Sequence, residues 1–67
     1  MDIFEVYYKQ DKITSFYTKN EAIDYIIKQI MFHHQLPCGI FNSYDYLYKH
    51  IDFYLDYYDY SIVNIIR

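Results

Sequence analysis

Hydrophobic and polar residues alternate at the start of the chain, a pattern typical of a β-strand with two unlike faces. One face of this strand holds Phe4, Val6 and Tyr8, and the other holds Ile3, Glu5 and Tyr7. The polar run 10–12 interrupts the pattern, and residues 13–17 resume it with β-branched and aromatic side chains. We therefore predict a β-hairpin over residues 2–17.

A helix is predicted over residues 19–34. Thr18 and Glu21 match a capping box, in which the Thr18 hydroxyl caps the backbone N–H of Glu21 and the Glu21 carboxylate reaches back. The residues that follow the period of a buried helical stripe are Ile23, Ile26, Ile27 and Ile30. A proline and a glycine in the run 36–39 end the helix, because proline disfavours helix in the residue before it and glycine permits a left-handed turn.

A second helix is predicted over residues 44–58, with Asn42 and Asp45 as a second capping pair and Ser43 as a competing cap. Residues 61–66 are dense in β-branched side chains, which favours a strand. The alternative is a helical continuation, because three isoleucines of this segment also follow the helical period.

These elements have the order ββααβ in one domain that spans residues 1–67. This order predicts an α+β fold with a three-stranded antiparallel or mixed sheet and two helices on one face. The sequence contains no internal repeat, linker or low-complexity segment.

The size of the chain limits how it is stabilised. A chain of 67 residues buries only about 60% of the surface that its unfolded form exposes, so a folded monomer is marginal. The single cysteine, Cys38, excludes an internal disulfide, and a lone thiol fits a reducing cytoplasm. Apolar residues make up 54% of the chain and aromatic residues 24%, which excludes a disordered chain.

The sequence also argues against a membrane or secreted protein. No stretch reaches the roughly 18 uncharged residues that a membrane span needs. The acidic start of the chain, over residues 1–5, differs from the basic region of a signal peptide. We therefore expect a cytoplasmic protein with no membrane partner.

Aspartates recur along the second predicted helix at spacings of 7, 4 and 3 residues. They are Asp45, Asp52, Asp56 and Asp59. At about 100° per residue they fall within an arc of roughly 60°, along about 21 Å of helix axis. Each is followed by an aromatic residue, and these form a second stripe that comprises Tyr46, Phe53, Tyr57 and Tyr60.

The remaining apolar residues of this helix form a stripe that faces the core: Tyr44, Leu47, Ile51, Tyr54, Leu55 and Tyr58. We predict that the acidic and aromatic stripes together bind a partner protein. Tyrosine gives rigid, amphipathic contact area, and a row of carboxylates repels itself unless a cationic partner or solvent offsets the charge. The alternative is a solvated flank whose aromatic residues wrap a small core.

Charge argues against direct binding of nucleic acid. The net charge is −3, with −1 over residues 1–34 and −2 over residues 35–67. Proteins that stack single-stranded bases on aromatic residues do so in a basic groove, whereas the densest aromatic cluster here is the most acidic part of the chain. The lysines that form at most a modest basic patch are Lys9, Lys12, Lys19 and Lys28.

Candidates for metal binding and catalysis are weak. The possible metal ligands are His33, His34, Cys38 and His50. Adjacent histidines on a helix project about 100° apart, and this spacing matches no standard zinc pattern. Nothing supplies an oxyanion site for the thiol, and a single glycine excludes a glycine-rich phosphate loop. We predict no enzyme activity, no metal and no cofactor.

In size, acidity and aromatic content the chain resembles the inhibitors of host defence that phages and mobile elements encode, anti-CRISPR proteins among them. The resemblance rests on size and composition, and it implies a non-enzymatic inhibitor or adaptor of a host protein, located in the host cell cytoplasm if it is phage-encoded. The acidic and aromatic helix then mimics nucleic acid in a basic groove of that protein. The alternative is a small structural or regulatory protein that homodimerises through the same aromatic stripe, and a metal- or nucleic-acid-binding module is a more distant third.

Overall fold

The computed structural model describes residues 1–33 and 44–67. Its elements in chain order are β1 (Asp2–Tyr8), β2 (Asp11–Phe16), α1 (Lys19–His33), α2 (Tyr44–Lys49), α3 (Ile51–Tyr57) and β3 (Tyr60–Ile66). The strands form one antiparallel sheet in the order β2-β1-β3. The predicted α+β fold with ββααβ order is confirmed, with the second helical segment in two parts.

The hairpin between β1 and β2 closes through a two-residue turn. Lys9 and Gln10 both have positive φ, at 50° and 72°, which is the backbone that matches the right-handed twist of the two strands. The pairing between the strands shifts by one residue between Val6 and Tyr7, a β-bulge that leaves Ile13 as the extra residue of β2.

β1 and β3 pair without a shift from Asp2 opposite Ile66 to Tyr8 opposite Tyr60. Burial alternates over the first four residues of β3, where Tyr60 and Ile62 face the helices and Ser61 and Val63 are exposed. The C-terminal segment is therefore a strand, and the helical alternative is wrong.

The core lies between the helices and one face of the sheet. It comprises Val6, Ala22, Ile23, Ile26, Ile27, Ile30, Leu47, Tyr54 and Tyr60. All four isoleucines of the predicted α1 stripe are in it. The opposite face of the sheet carries none of the described helices, and we call it the helix-free face.

The start of α1 has the predicted capping box. The Glu21 N–H donates to the Thr18 Oγ1 over 3.1 Å, and the Thr18 hydroxyl donates to the Glu21 carboxylate over 3.0 Å. The first bond satisfies an amide of the first turn, which lacks a helical acceptor, and the second holds the Thr18 side chain against Glu21. The predicted helix stop at 36–39, the caps at Asn42 and Ser43, and the last residue of helix 19–34 lie outside the described residues.

The single helix expected over residues 44–58 is divided, so that prediction was wrong. His50 has φ −112° and ψ 29°, outside the helical region, and α3 begins at the next residue. The His50 carbonyl still accepts the N–H groups of Phe53 and Tyr54, at 3.1 and 3.3 Å, and so starts the new helix. α3 ends at Tyr57, and Asp59 adopts a left-handed conformation with φ 63°.

Candidate protein-binding surface

α3 turns one side to the core and the other to solvent. Tyr54 is buried at 2% exposed, and Ile51 and Leu55 are partly buried beside it. The exposed residues of the other side are Asp52, Phe53, Asp56 and Tyr57. Since residues four apart lie one above the other on a helix, these four form an acidic row and an aromatic row side by side. We call this group the α3 outer face.

The aromatic row is stacked and open to solvent. The rings of Phe53 and Tyr57 lie 5.9 Å apart at an interplanar angle of 26°. Phe53 is 59% exposed and Tyr57 is 55% exposed. Both rings also contact aromatic neighbours edge-on, Phe53 with the buried Tyr54 at 5.0 Å and Tyr57 with the partly buried Tyr58 at 4.9 Å. Each ring therefore packs on two aromatic neighbours while more than half of its residue stays exposed.

The acidic row consists of Asp52 and Asp56, one helical turn apart. Within the part of the chain that the structure describes, the ion pairs are Lys12–Glu5 and Lys28–Asp24, and neither involves this row. The two carboxylates thus lie together on the surface with no cation of the described chain against them. Like charges at this spacing destabilise a helix slightly unless a partner or solvent offsets them.

α2 extends the surface beyond α3. Asp45 is exposed, and Tyr46 is 36% exposed. The Tyr46 ring lies 4.7 Å from the His50 ring and 6.4 Å from the ring of Tyr54. Burial, the neighbouring Tyr46 and its hydrogen bond raise the pKa of Tyr54. Tyr46 therefore contacts Tyr54, the buried residue next to Phe53 in α3. Asp45 belongs to α2 and is separated by the division at His50 from Asp52 and Asp56 in α3.

The last two residues predicted for this surface lie elsewhere. Asp59 is exposed but belongs to the turn between α3 and β3. Tyr60 opens β3 and is 7% exposed, with its ring 4.8 Å from that of Tyr8. The prediction that Tyr60 lies in an exposed aromatic stripe was wrong, because the chain leaves the helix at Tyr57 and Tyr60 then points into the core.

A polar seam between α1 and α2 was not predicted. The Tyr48 hydroxyl donates to the Asn20 side chain over 3.0 Å, and Tyr44 forms a hydrogen bond with Asp24. Burial and that carboxylate raise the pKa of Tyr44 to about 12. The bond from Tyr44 and the ammonium of Lys28, 3.0 Å away, lower the pKa of Asp24. The seam joins α2 to α1, and Tyr48 remains 41% exposed within it.

The helix-free face of the sheet carries a second unpredicted group. Glu5 is 6% exposed there, pairs with Lys12 at 2.9 Å and accepts a hydrogen bond from the Tyr7 hydroxyl at 3.0 Å. The bonds from Lys12 and Tyr7 lower the pKa of Glu5. The β-bulge brings Lys12 beside Glu5, and a pattern along one strand does not reveal such a pairing.

No group of three histidine, cysteine, aspartate or glutamate side chains within residues 1–33 and 44–67 is placed to hold a metal ion. His34 and Cys38, two of the weak candidates, lie outside these ranges. The carboxylates of the α3 outer face, Asp52 and Asp56, are open to solvent on a helix surface.

Comparison with protein-family models, with curated proteins and with solved structures finds no match to this chain. Among the helices that the structure describes, none combines the length and the apolar character needed to cross a membrane.

Proposed function

We propose that this protein is a non-enzymatic adaptor or inhibitor that binds another protein through the α3 outer face. The observation that carries the proposal is the stacked, exposed pair Phe53 and Tyr57 beside the aspartates 52 and 56. The partner has a basic, grooved surface of the kind that binds nucleic acid.

The aromatic row supports a docking role through its exposure. Aromatic side chains dominate the energetics of interfaces, and the residues whose truncation costs most binding energy are enriched in tyrosine. Phe53 and Tyr57 already hold a fixed mutual geometry, so binding them orders few additional rotamers. Rigid exposed rings therefore favour a protein partner over solvent.

The acidic row indicates the charge of the partner. Asp52 and Asp56 lie about 6 Å apart along the helix axis, so their charges add at one place. A basic groove offsets this repulsion and accepts carboxylates where it otherwise holds phosphates. The same charges disfavour direct binding of nucleic acid to this face, because proteins that stack bases use a basic surface.

Inhibition follows from this mode of binding. A chain that occupies a nucleic-acid groove excludes the nucleic acid from it, and the small size of the protein suits this role. The resemblance in size and composition to phage-encoded inhibitors of host defence supports such a target. We place the protein in the cytoplasm, where the lone thiol stays reduced.

The test is site-specific photocrosslinking in extracts of the cells that carry the protein. A photoreactive phenylalanine analogue replaces Phe53, and a matched control carries it at Phe32, an aromatic residue of α1 that is 75% exposed. We expect a crosslink to a basic protein from position 53 only, and added nucleic acid should compete with it.

Three outcomes contradict the proposal. One is equal crosslinking from positions 53 and 32. Another is a crosslink at position 53 that excess nucleic acid does not reduce. The third is a crosslink from position 53 to a second copy of this chain, which identifies the aromatic row as a homodimer seam.

A further inference from the structure

β3 forms one edge of the sheet, and no described strand pairs with its outer side. Its residues from Ser61 to Ile66 include no charged side chain and no proline. Val63 is 42% exposed and Ile66 is 78% exposed. An edge strand of this kind offers a row of backbone hydrogen-bonding groups to another strand.

The hydrogen bonds between β1 and β3 show which backbone groups of β3 face outward. Beyond the two ends of the paired segment, the Lys9 N–H donates to the Asp59 carbonyl over 2.9 Å, and the Arg67 N–H donates to the Met1 carbonyl over 3.0 Å. In an antiparallel pair, hydrogen-bonded positions alternate with positions that are not hydrogen-bonded. Since the pairing has no shift, the odd-numbered residues of β3 bond to β1 and the even-numbered ones point away from it.

The other edge of the sheet is protected against such pairing. β2 carries the charged residues Asp11 and Lys12 and contains the β-bulge at Ile13. Charges and bulges are the usual means by which edge strands avoid pairing with other chains. β3, from Tyr60 to Ile66, has no charged residue and no bulge. The β3 edge is therefore less protected than the β2 edge against pairing with a strand of another chain.

We propose that the protein forms a two-fold symmetric homodimer in which β3 pairs antiparallel with β3 of a second copy, centred on Val63. The two sheets then join into one of six strands. This inference uses a different surface from the α3 outer face and does not depend on the proposed function.

The geometry of β3 selects this register. Outward-pointing positions must face one another, so Ile62 pairs with Asn64 of the second copy and Ile66 with Tyr60. Centring the pair on Val63 uses all seven residues of the strand. Shifting the centre by one residue in either direction, to Ile62 or Asn64, leaves part of each strand unpaired.

Charge complementarity identifies the occupant as a second copy rather than an unrelated strand. In the register centred on Val63, Asp59 and Arg67 flank the two ends of β3, so the Asp59 turn of each copy lies at the same end of the paired segment as Arg67 of the other, and both side chains are exposed. Opposite charges at the same end of the segment attract each other. The two-fold axis repeats this pair at both ends, which fixes the register from both sides.

The test compares two lysine substitutions by sedimentation equilibrium of the full chain. Val63→Lys places two lysines against each other across the two-fold axis. Ser15→Lys is the matched control, because Val63 and Ser15 are both cross-strand partners of Glu5 on the helix-free face. The variants thus have the same charge and the same neighbour but lie on opposite edges of the sheet.

We expect the unmodified chain and Ser15→Lys to sediment as dimers of about 17 kDa, twice the chain mass of 8.4 kDa. Val63→Lys should weaken dimerisation by about tenfold or more, since like charges directly opposite destabilise a strand pair. Substituting both Phe53 and Tyr57 by Ala should leave the dimer intact. A monomeric unmodified chain at about 100 μM, a Val63→Lys variant that dimerises as tightly as the unmodified chain, or loss of the dimer in Phe53→Ala/Tyr57→Ala overturns the proposal.

Hydrogen exchange of the unmodified chain tests the same register without any substitution. In the dimer the amides of Ile62, Asn64 and Ile66 are hydrogen-bonded, so their protection should rise with protein concentration. The amide of Ser15, which points outward from β2, should exchange at the same rate throughout the series. Protection of Ile62, Asn64 and Ile66 that does not change with concentration contradicts the proposal.

Discussion

Tyr8 and Tyr60 face each other across the β1–β3 pair, with their rings 4.8 Å apart at an angle of 41°. The contact closes the end of the sheet nearest the hairpin turn and buries Tyr60 to 7% exposed. Because Tyr60 is buried in this contact, Tyr57 is the last aromatic residue of the aspartate–aromatic repeat that is exposed. Tyr60 belongs to the core of the protein, and its hydroxyl titrates accordingly.

Ionisation of Tyr60 should destabilise the protein at alkaline pH. Burial first, and then the neighbouring Tyr8 and Tyr25, raise the pKa of Tyr60 to about 12. A raised pKa in the folded state means that this stability is fully present below the ordinary value of 10.0 and is lost as the pH rises towards 12. Between about pH 9 and about pH 11, the urea midpoint of Tyr60→Phe should therefore fall less than that of the unmodified chain.

The control for this experiment is Tyr17→Phe, which removes a tyrosine that is 68% exposed. Its urea midpoint should fall with pH as steeply as that of the unmodified chain. An equal fall for Tyr60→Phe and Tyr17→Phe excludes the role assigned to Tyr60.

The ion pair between Lys12 and Glu5 should stabilise the folded protein at neutral pH and lose this effect in acid. Hydrogen bonds from Lys12 and Tyr7 lower the pKa of Glu5, so the contribution is present above the ordinary value of 4.5 and is lost as the pH falls through the lowered value. We expect Glu5→Gln to melt at a lower temperature than the unmodified chain near neutral pH. This difference should shrink at about pH 3. Asp2→Asn is the charge-matched control, and a difference for Glu5→Gln that is constant with pH contradicts the assignment.

Removing the N-cap of α1 should cost about 1 kcal/mol of unfolding free energy. Thr18→Ala deletes the oxygen that accepts the Glu21 N–H and leaves that amide without its side-chain acceptor. Thr18→Ser keeps the hydroxyl and should restore most of the stability in urea denaturation. If the Ala and Ser variants are equally stable, the capping bond contributes nothing.

Much of the fold could be predicted from the sequence because its signals are local. The alternation around Val6, the cap at Thr18 and the isoleucine period of α1 each depend on residues close in sequence. The division at His50 could not be predicted in this way. No proline or glycine marks it, and the apolar period continues from Leu47 to Tyr54 as it does in one unbroken helix.

The candidate site was predicted in part for the same reason. The α3 outer face follows from the spacing of Asp52, Phe53, Asp56 and Tyr57 within one short helix, where helical geometry holds. Extending that geometry to Tyr60 failed, because the left-handed Asp59 redirects the chain into β3. The contact of Lys12 with Glu5 depends on a β-bulge, whose position is set by the pairing of two strands.

In the proposed function, the carboxylates and rings of the α3 outer face bind a basic partner. The most direct test uses the partner that the crosslink identifies, in purified form. It measures the rate at which this partner associates with the protein over a range of salt concentrations. Asp52→Asn/Asp56→Asn should weaken binding by about 1–3 kcal/mol, mostly through slower association with a shallower salt dependence. Asp2→Asn/Asp11→Asn, which removes the same charge from two exposed positions of the sheet, should bind as the unmodified chain does. Equal association rates for the two double variants at low salt would contradict the account.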